Sequence, residues 1–88
     1  MELKPSPVVA LNRAVAVAMA EGAEAGLHAM EDLAGPLDQY PWFHSARGEM
    51  LRRVDRFDEA VGAYRQAIAL TNNSNARAFL EGRLAEIG

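Results

Sequence analysis

A stripe of small and aromatic residues constrains the fold most strongly, and it lies in the segment RFDEAVGAYRQAIALTNN, residues 56–73. Ala60, Tyr64 and Ala67 recur at a spacing of three or four residues, which places them on one face of an α-helix. Small residues on a helix face let a second helix approach closely, and a large residue fills the remaining space. The stripe therefore predicts close helix-on-helix packing.

Start and stop signals divide the rest of the chain into further helices. Ser6 and Pro7 are typical of a helix start, whereas Gly22 and the pair Gly35-Pro36 interrupt helices. No stretch alternates apolar and polar residues as a strand does. The sequence predicts a single all-α domain, residues 1–88, of five antiparallel helices with short loops. The predicted helices span about residues 7–20, 23–33, 41–54, 58–70 and 75–87.

Composition excludes several classes of site. The chain has no Cys and a net charge of −3, so it offers neither disulfides nor a basic footprint for nucleic acid. The longest apolar run, residues 14–20, is too short to span a bilayer. The start of the chain does not have the pattern of a secretory signal. We expect a cytoplasmic protein that contacts neither membrane nor nucleic acid.

Catalytic and metal sites are not expected. His28 and His44 are the only histidines, and a metal site needs more ligands at suitable spacing. No Ser or Thr has a plausible base beside it, and no Gly-rich phosphate loop is present. We therefore expect a protein that is not an enzyme and has no catalytic, cofactor-binding or metal-binding residue.

The second predicted hairpin matches the pattern of a tetratricopeptide repeat. Gly48 and Leu51 on the third helix precede Ala60, Tyr64 and Ala67 on the fourth. Small, large and aromatic residues alternate in this way in tetratricopeptide repeats, whose period is about 34 residues. The pattern predicts a short tetratricopeptide-like stack of helical hairpins.

The first hairpin overlays the second weakly. Arg13-Ala14 aligns with Arg47-Gly48 at a separation of 34 residues, and Ala25 aligns with Ala60 at a separation of 35. We expect the fifth helix to cap the stack, as solenoids usually require.

Candidate partner-binding residues lie on the first and third helices. The first helix is apolar on almost every side, so a stripe through Val8, Leu11, Val15 and Ala18 is expected to meet a partner. Its polar residues, Asn12 and Arg13, are expected either to fix the helix by hydrogen bonds or to contact the same partner. The full set of candidates is Val8, Leu11, Asn12, Arg13, Val15, Trp42 and Arg47.

Two features of the third helix leave alternatives open. Trp42 belongs to an aromatic cluster with Tyr40 and Phe43, which either packs in the core or exposes an anchor for a partner. Arg47 has the same alternatives as its counterpart Arg13. The basic cluster at the end of this helix is expected to interact with the helix C-terminus and with Asp55, Asp58 and Glu59. The cluster contains Arg47, Arg52, Arg53 and Arg56.

Several phrases of the sequence resemble the C-terminal region of a group of bacterial extracytoplasmic-function RNA polymerase sigma factors. The phrases are SPVVALNRAVAVA (6–18), EGAEAGL (21–27), FHSARGEMLRRVDRFDEAVGAYRQAIALTNN (43–73) and ARAFLEGRLAEI (76–87). Two positions depart from that group, which tends to have Pro at Ala23 and Ala at Gly48. The chain has nothing similar to the polymerase-binding helix or the promoter-reading helix-turn-helix of sigma factors.

The resemblance implies a small tetratricopeptide-like regulatory domain appended to the promoter-binding domains. Its expected partners are the sigma-factor core domains, RNA polymerase, a regulatory protein or a second copy of the chain. An alternative, from the residues alone, is a free-standing tetratricopeptide-like adaptor or dimerisation module unrelated to transcription.

Overall fold

Five α-helices make up the fold in a computed structural model that describes residues 6–87. They are α1 (Pro7–Glu21), α2 (Ala23–Met30), α3 (Pro41–Arg53), α4 (Phe57–Leu70) and α5 (Ser74–Ile87), and a short 3-10 helix spans Glu31–Leu33. No strand occurs between residues 6 and 87. The predicted all-α class and five helices are confirmed.

Neighbouring helices pack in chain order. α1 packs on α2 and α3 packs on α4, so each pair forms a hairpin. α2 packs on α3 to join the hairpins, and α5 packs on α4 at the end. A common core contains the buried side chains of all five helices, with Leu11, Met30, Leu51 and Tyr64 the largest fully buried ones.

The helix boundaries follow from local chemistry. Ser6 accepts a hydrogen bond from the Val9 N–H at 3.1 Å and caps α1, whose first residue is proline. At α5 the capping side chain is Asn73, which accepts from the Ala76 N–H at 2.9 Å. The helix begins at the next residue, Ser74.

The turn between α3 and α4 contains a residue with a left-handed backbone conformation. Asp55 has a φ of 62°, which lets the Arg56 N–H donate to the Leu51 carbonyl at 2.9 Å and the Asp55 N–H donate to the Arg52 carbonyl at 3.1 Å. These two bonds satisfy carbonyls that a helix end leaves open. The turn sets the angle at which α4 returns along α3.

The two hairpins have the same spacing. α1 and α3 begin at Pro7 and Pro41, and α2 and α4 begin at Ala23 and Phe57. Both separations are 34 residues, so the predicted alignment of Ala25 with Ala60 at 35 residues is wrong. Gly26 is the buried residue at the position of the first hairpin that is equivalent to Ala60, whereas Ala25 is only partly buried.

The close approach of α1 to α2 explains why Gly26 occupies this buried position. A Cβ atom on Gly26 would lie 2.4 Å from the Ala18 Cβ, so α1 and α2 touch where only glycine fits. In the second hairpin, a Cβ on Gly48 would lie 2.8 Å from the Tyr64 ring. Each hairpin therefore has one glycine at its closest contact, although the two glycines lie on different helices.

Candidate protein-docking groove

An open apolar groove lies between α1, α3 and α5. It has a volume of about 240 Å³. Its lining is mostly carbon: Val15, Ala18 and Met19 from α1, Trp42, Ser45, Ala46, Glu49, Met50 and Arg53 from α3, and Phe79 from α5. We call this surface the α1–α3–α5 groove.

Three large apolar side chains stand exposed around the groove. Met19 is 78% exposed, Phe79 51% and Trp42 43%. Beneath them, Ala18, Ala46 and Met50 are buried and form the floor. Single exposed apolar residues are ordinary, but several that converge on one concavity are typical of a binding surface.

Glu49 joins α3 to α4 and α5 beside the groove. Its carboxylate accepts a hydrogen bond from the Tyr64 hydroxyl, and it pairs with Arg83 Nη2 at 3.0 Å and with Arg52 Nε at 3.3 Å. The guanidinium of Arg83 also lies 4.9 Å from the centroid of the Phe79 ring. This network fixes Phe79 and α5 against the groove wall.

The network shifts the protonation of its members. Burial raises the pKa of Glu49, but the hydrogen bonds from Tyr64, Arg83 and Arg52 together lower it by more than burial raises it. The pKa of Glu49 therefore lies below its usual value. Burial, followed by the hydrogen bond to Glu49, raises the pKa of Tyr64 to about 12. Glu49 is therefore an anion and Tyr64 a neutral donor at neutral pH.

Arg53 is the cation at the mouth of the groove. It is exposed, and none of the ion pairs formed within residues 6–87 includes it. Arg52 and Arg83, in contrast, are paired with Glu49 and Glu86. The groove thus combines an apolar floor with one positive charge at its edge.

One of the sequence candidates on α1, Val15, lines the groove. Val8 and Asn12 are exposed on the same helix but are not among the residues that line it. Leu11 was expected on the same open stripe, but it is 0% exposed and belongs to the core. The prediction is wrong for Leu11, which is a core residue. Ala18 lies against Gly26 of α2 and is only 6% exposed, so it is not an open contact.

The remaining candidates divide between two surfaces. Trp42 lines the groove and is exposed, which favours the anchor interpretation over core packing. Arg13 is two residues from Val15, which places it about 160° around the helix, away from the groove. Arg47 lines a separate cavity with Leu51 and Arg56. Neither Arg13 nor Arg47 therefore lines this groove.

Sequence reasoning missed Met19, Arg53 and Phe79 as groove residues. Met19 follows Val15 at a spacing of four residues, so the helical period was available to identify it. Phe79 and Leu80 are adjacent apolar residues of α5, and Leu80 is the one that enters the core. Which of two adjacent apolar residues enters the core depends on how α5 is rotated against α4.

The basic cluster at the end of α3 is divided among several acids. Arg56 pairs with Glu59 at 2.6 Å and with Glu24 at 3.4 Å, and so links α4 to α2. Arg52 pairs with Glu49. Of the expected acids, Glu59 is used, and the others that take part lie on α2 and α3. The cluster therefore does not form one basic surface.

Residues 6–87 contain neither a metal-binding cluster nor a membrane-spanning helix. The side chains in this range contain no group of three or more His, Cys, Asp or Glu residues placed to hold a metal ion. No helix in the same range has the length and apolar character needed to cross a membrane.

Comparison with known proteins gives one informative match. Over 82 residues, or 93% of this chain, the sequence is 45% identical to an uncharacterized protein of Rhizobium meliloti (strain 1021). The chain spans only 19% of that protein's length. No family model matches the chain, and no solved structure matches it.

Proposed function

We propose that this chain is a non-catalytic protein-interaction module that regulates transcription initiation as the C-terminal domain of an extracytoplasmic-function sigma factor. The α1–α3–α5 groove is its docking surface. Docking of the sigma-factor core domains, of polymerase or of a regulator in this groove changes how the sigma factor engages polymerase.

The observation that carries the proposal is the concentration of exposed apolar side chains at one concavity. Met19, Trp42 and Phe79 come from three helices and meet at the groove. Leaving them in water costs about 25 cal/mol per Å² of apolar surface that a partner would otherwise cover. Aromatic residues in such settings are favoured as interaction hot spots.

Two further observations support a module of this kind. Helices of the two hairpins begin 34 residues apart, which is the period of tetratricopeptide repeats. The Rhizobium meliloti relative carries a similar segment within a much longer chain. The link to sigma factors rests on the phrases between Ser6 and Ile87 described above.

The test is transcription by reconstituted polymerase with the complete native polypeptide that carries this chain. A double variant, Trp42→Ala with Phe79→Ala, removes two groove side chains. We expect it to change promoter-specific transcript yield several-fold. Phe57→Ala is the matched control, because Phe57 is 43% exposed, as Trp42 is, but does not line the groove.

The outcomes separate the alternatives. A change with the groove variant and none with Phe57→Ala supports regulation through the groove. Equal transcription from all three proteins overturns the proposed role of the groove. If the native polypeptide supports no polymerase-dependent initiation, the sigma-factor assignment is wrong and a free-standing adaptor replaces it.

A further inference from the structure

The walls of the groove favour one backbone conformation for its occupant. All three walls are α-helices, whose own backbone groups are already hydrogen-bonded. Apart from Arg53, the polar side chains that line the groove are engaged too: Ser45 donates to the Trp42 carbonyl at 3.1 Å, and Glu49 accepts from Tyr64, Arg83 and Arg52. An extended segment would bury N–H and C=O groups without partners, whereas a helix satisfies its own.

The size of the groove favours a side chain of a polypeptide over a separate small molecule. Small-molecule sites usually measure about 300–1,000 Å³ and enclose most of the ligand. This groove measures about 240 Å³ and is open to solvent. From Trp42 to Arg53 its wall on α3 rises roughly 16 Å, which matches three turns of a docked helix.

Charge selects among amphipathic helices. Three arginines and two acids lie near the groove. Glu49 pairs with Arg52 and Arg83, and Glu86 pairs with Arg83, but Arg53 is in none of these pairs. One positive charge, on Arg53, therefore remains at the mouth. An acidic side chain on the partner would gain an ion pair there, and a basic one would be repelled.

We propose that the groove binds an amphipathic helix that seats an apolar side chain among Met19, Trp42 and Phe79 and directs an Asp or Glu to Arg53. This inference rests on the proposed function, since it specifies the partner of the same groove. It adds a helical conformation and a charge that the function alone does not require.

The experiment selects binders from a phage library of 16-residue helical peptides with one randomised face. Three forms of the full 88-residue chain serve as baits: the wild type, Arg53→Glu and Arg65→Glu. Arg65 is the control because it is an exposed arginine on α4 and does not line the groove. The affinity of each consensus peptide is then measured by fluorescence anisotropy on every bait and on Trp42→Ala with Phe79→Ala.

We expect wild type and Arg65→Glu to enrich acidic residues one turn from an apolar anchor. Arg53→Glu should enrich Lys or Arg at that position and bind the wild-type consensus roughly fivefold or more weakly. A central proline in the consensus peptide should abolish binding, because it breaks the helix.

Each contrary result overturns a separate statement. If wild type and Arg53→Glu select peptides with the same charge preference, the claim that the partner directs an acidic residue to Arg53 is wrong. That result does not contradict the groove as the binding surface. Tolerance of the central proline overturns the helical conformation. Selected peptides that bind Trp42→Ala with Phe79→Ala as tightly as wild type overturn the groove itself, and with it the docking surface of the proposed function.

Discussion

Glu49 has polar contacts with three side chains, more than any other charged residue described. It receives one neutral and two cationic donors from α3, α4 and α5. A partly buried carboxylate is costly without partners and stabilising with several. The helix that supplies the groove floor is thus tied to the helix that supplies Phe79.

The protonation of Glu49 gives a pH prediction. The pKa of Glu49 lies below its usual value in the folded chain, so the folded state binds its proton more weakly than the unfolded state. Its stabilisation is therefore full above the unfolded pKa of about 4.3 and is lost as pH falls through the folded pKa. Glu49→Gln should lower the free energy of unfolding by about 1–3 kcal/mol at pH 7 and flatten its decline below pH 5.

Urea unfolding at pH 7, 5, 4 and 3 measures this effect. Glu81→Gln is the control, because Glu81 is an exposed acid on α5 and makes none of the ion pairs described. Identical pH slopes for wild type and Glu49→Gln would contradict the account of the network.

At the scale of helices, an added Cβ would come closer to its neighbours at the α1–α2 contact, at Gly26, than at the α3–α4 contact, at Gly48. Gly26 lies where a Cβ would meet Ala18 Cβ at 2.4 Å and Ala18 Cα at 3.0 Å. Neither atom is at the end of a flexible side chain, so relief requires the helices to separate. The position of α1, and with it Met19 and Val15 in the groove, depends on this contact.

Gly26→Ala should therefore destabilise the fold by about 1–3 kcal/mol through overpacking, despite the higher helix propensity of alanine. Gly62→Ala is the matched control: Gly62 is also helical, but nothing lies within 4 Å of an added Cβ. It should gain about 0.5–1 kcal/mol. Thermal unfolding should move Tm down for Gly26→Ala and up for Gly62→Ala, and an unchanged or higher Tm for Gly26→Ala would refute the close contact.

Helix positions were largely predictable because they depend on local chemistry. The predicted starts at residues 7, 23 and 41 match those of α1, α2 and α3, since Pro7, Gly22 and Pro41 act within one turn. The register of α2 was not predictable in the same way. Ala25 and Gly26 are both small, and only the approach of Ala18 distinguishes them.

For the whole molecule, the groove required tertiary information. The apolar character of α1 suggested an open surface, but it did not show which of its residues enter the core. Leu11 enters the core and Met19 remains 78% exposed, although both are apolar residues of one helix. Trp42 and Val15 were named as candidates, whereas Phe79 joins them only through the packing of α5 on α4.

The most direct test of the docking surface places a photo-crosslinking amino acid, p-benzoylphenylalanine, at one groove position in the complete native polypeptide. Trp42 is replaced in one protein and Phe57 in another, because both are 43% exposed but only Trp42 lines the groove. After irradiation with the purified polymerase, crosslinked peptides are mapped by mass spectrometry. Our account predicts a single dominant crosslinked segment from position 42, with an apolar helical face, and only scattered products from position 57. Scattered products from both positions, or a dominant segment from position 57 alone, would contradict the claim that the α1–α3–α5 groove is where this chain binds its partner.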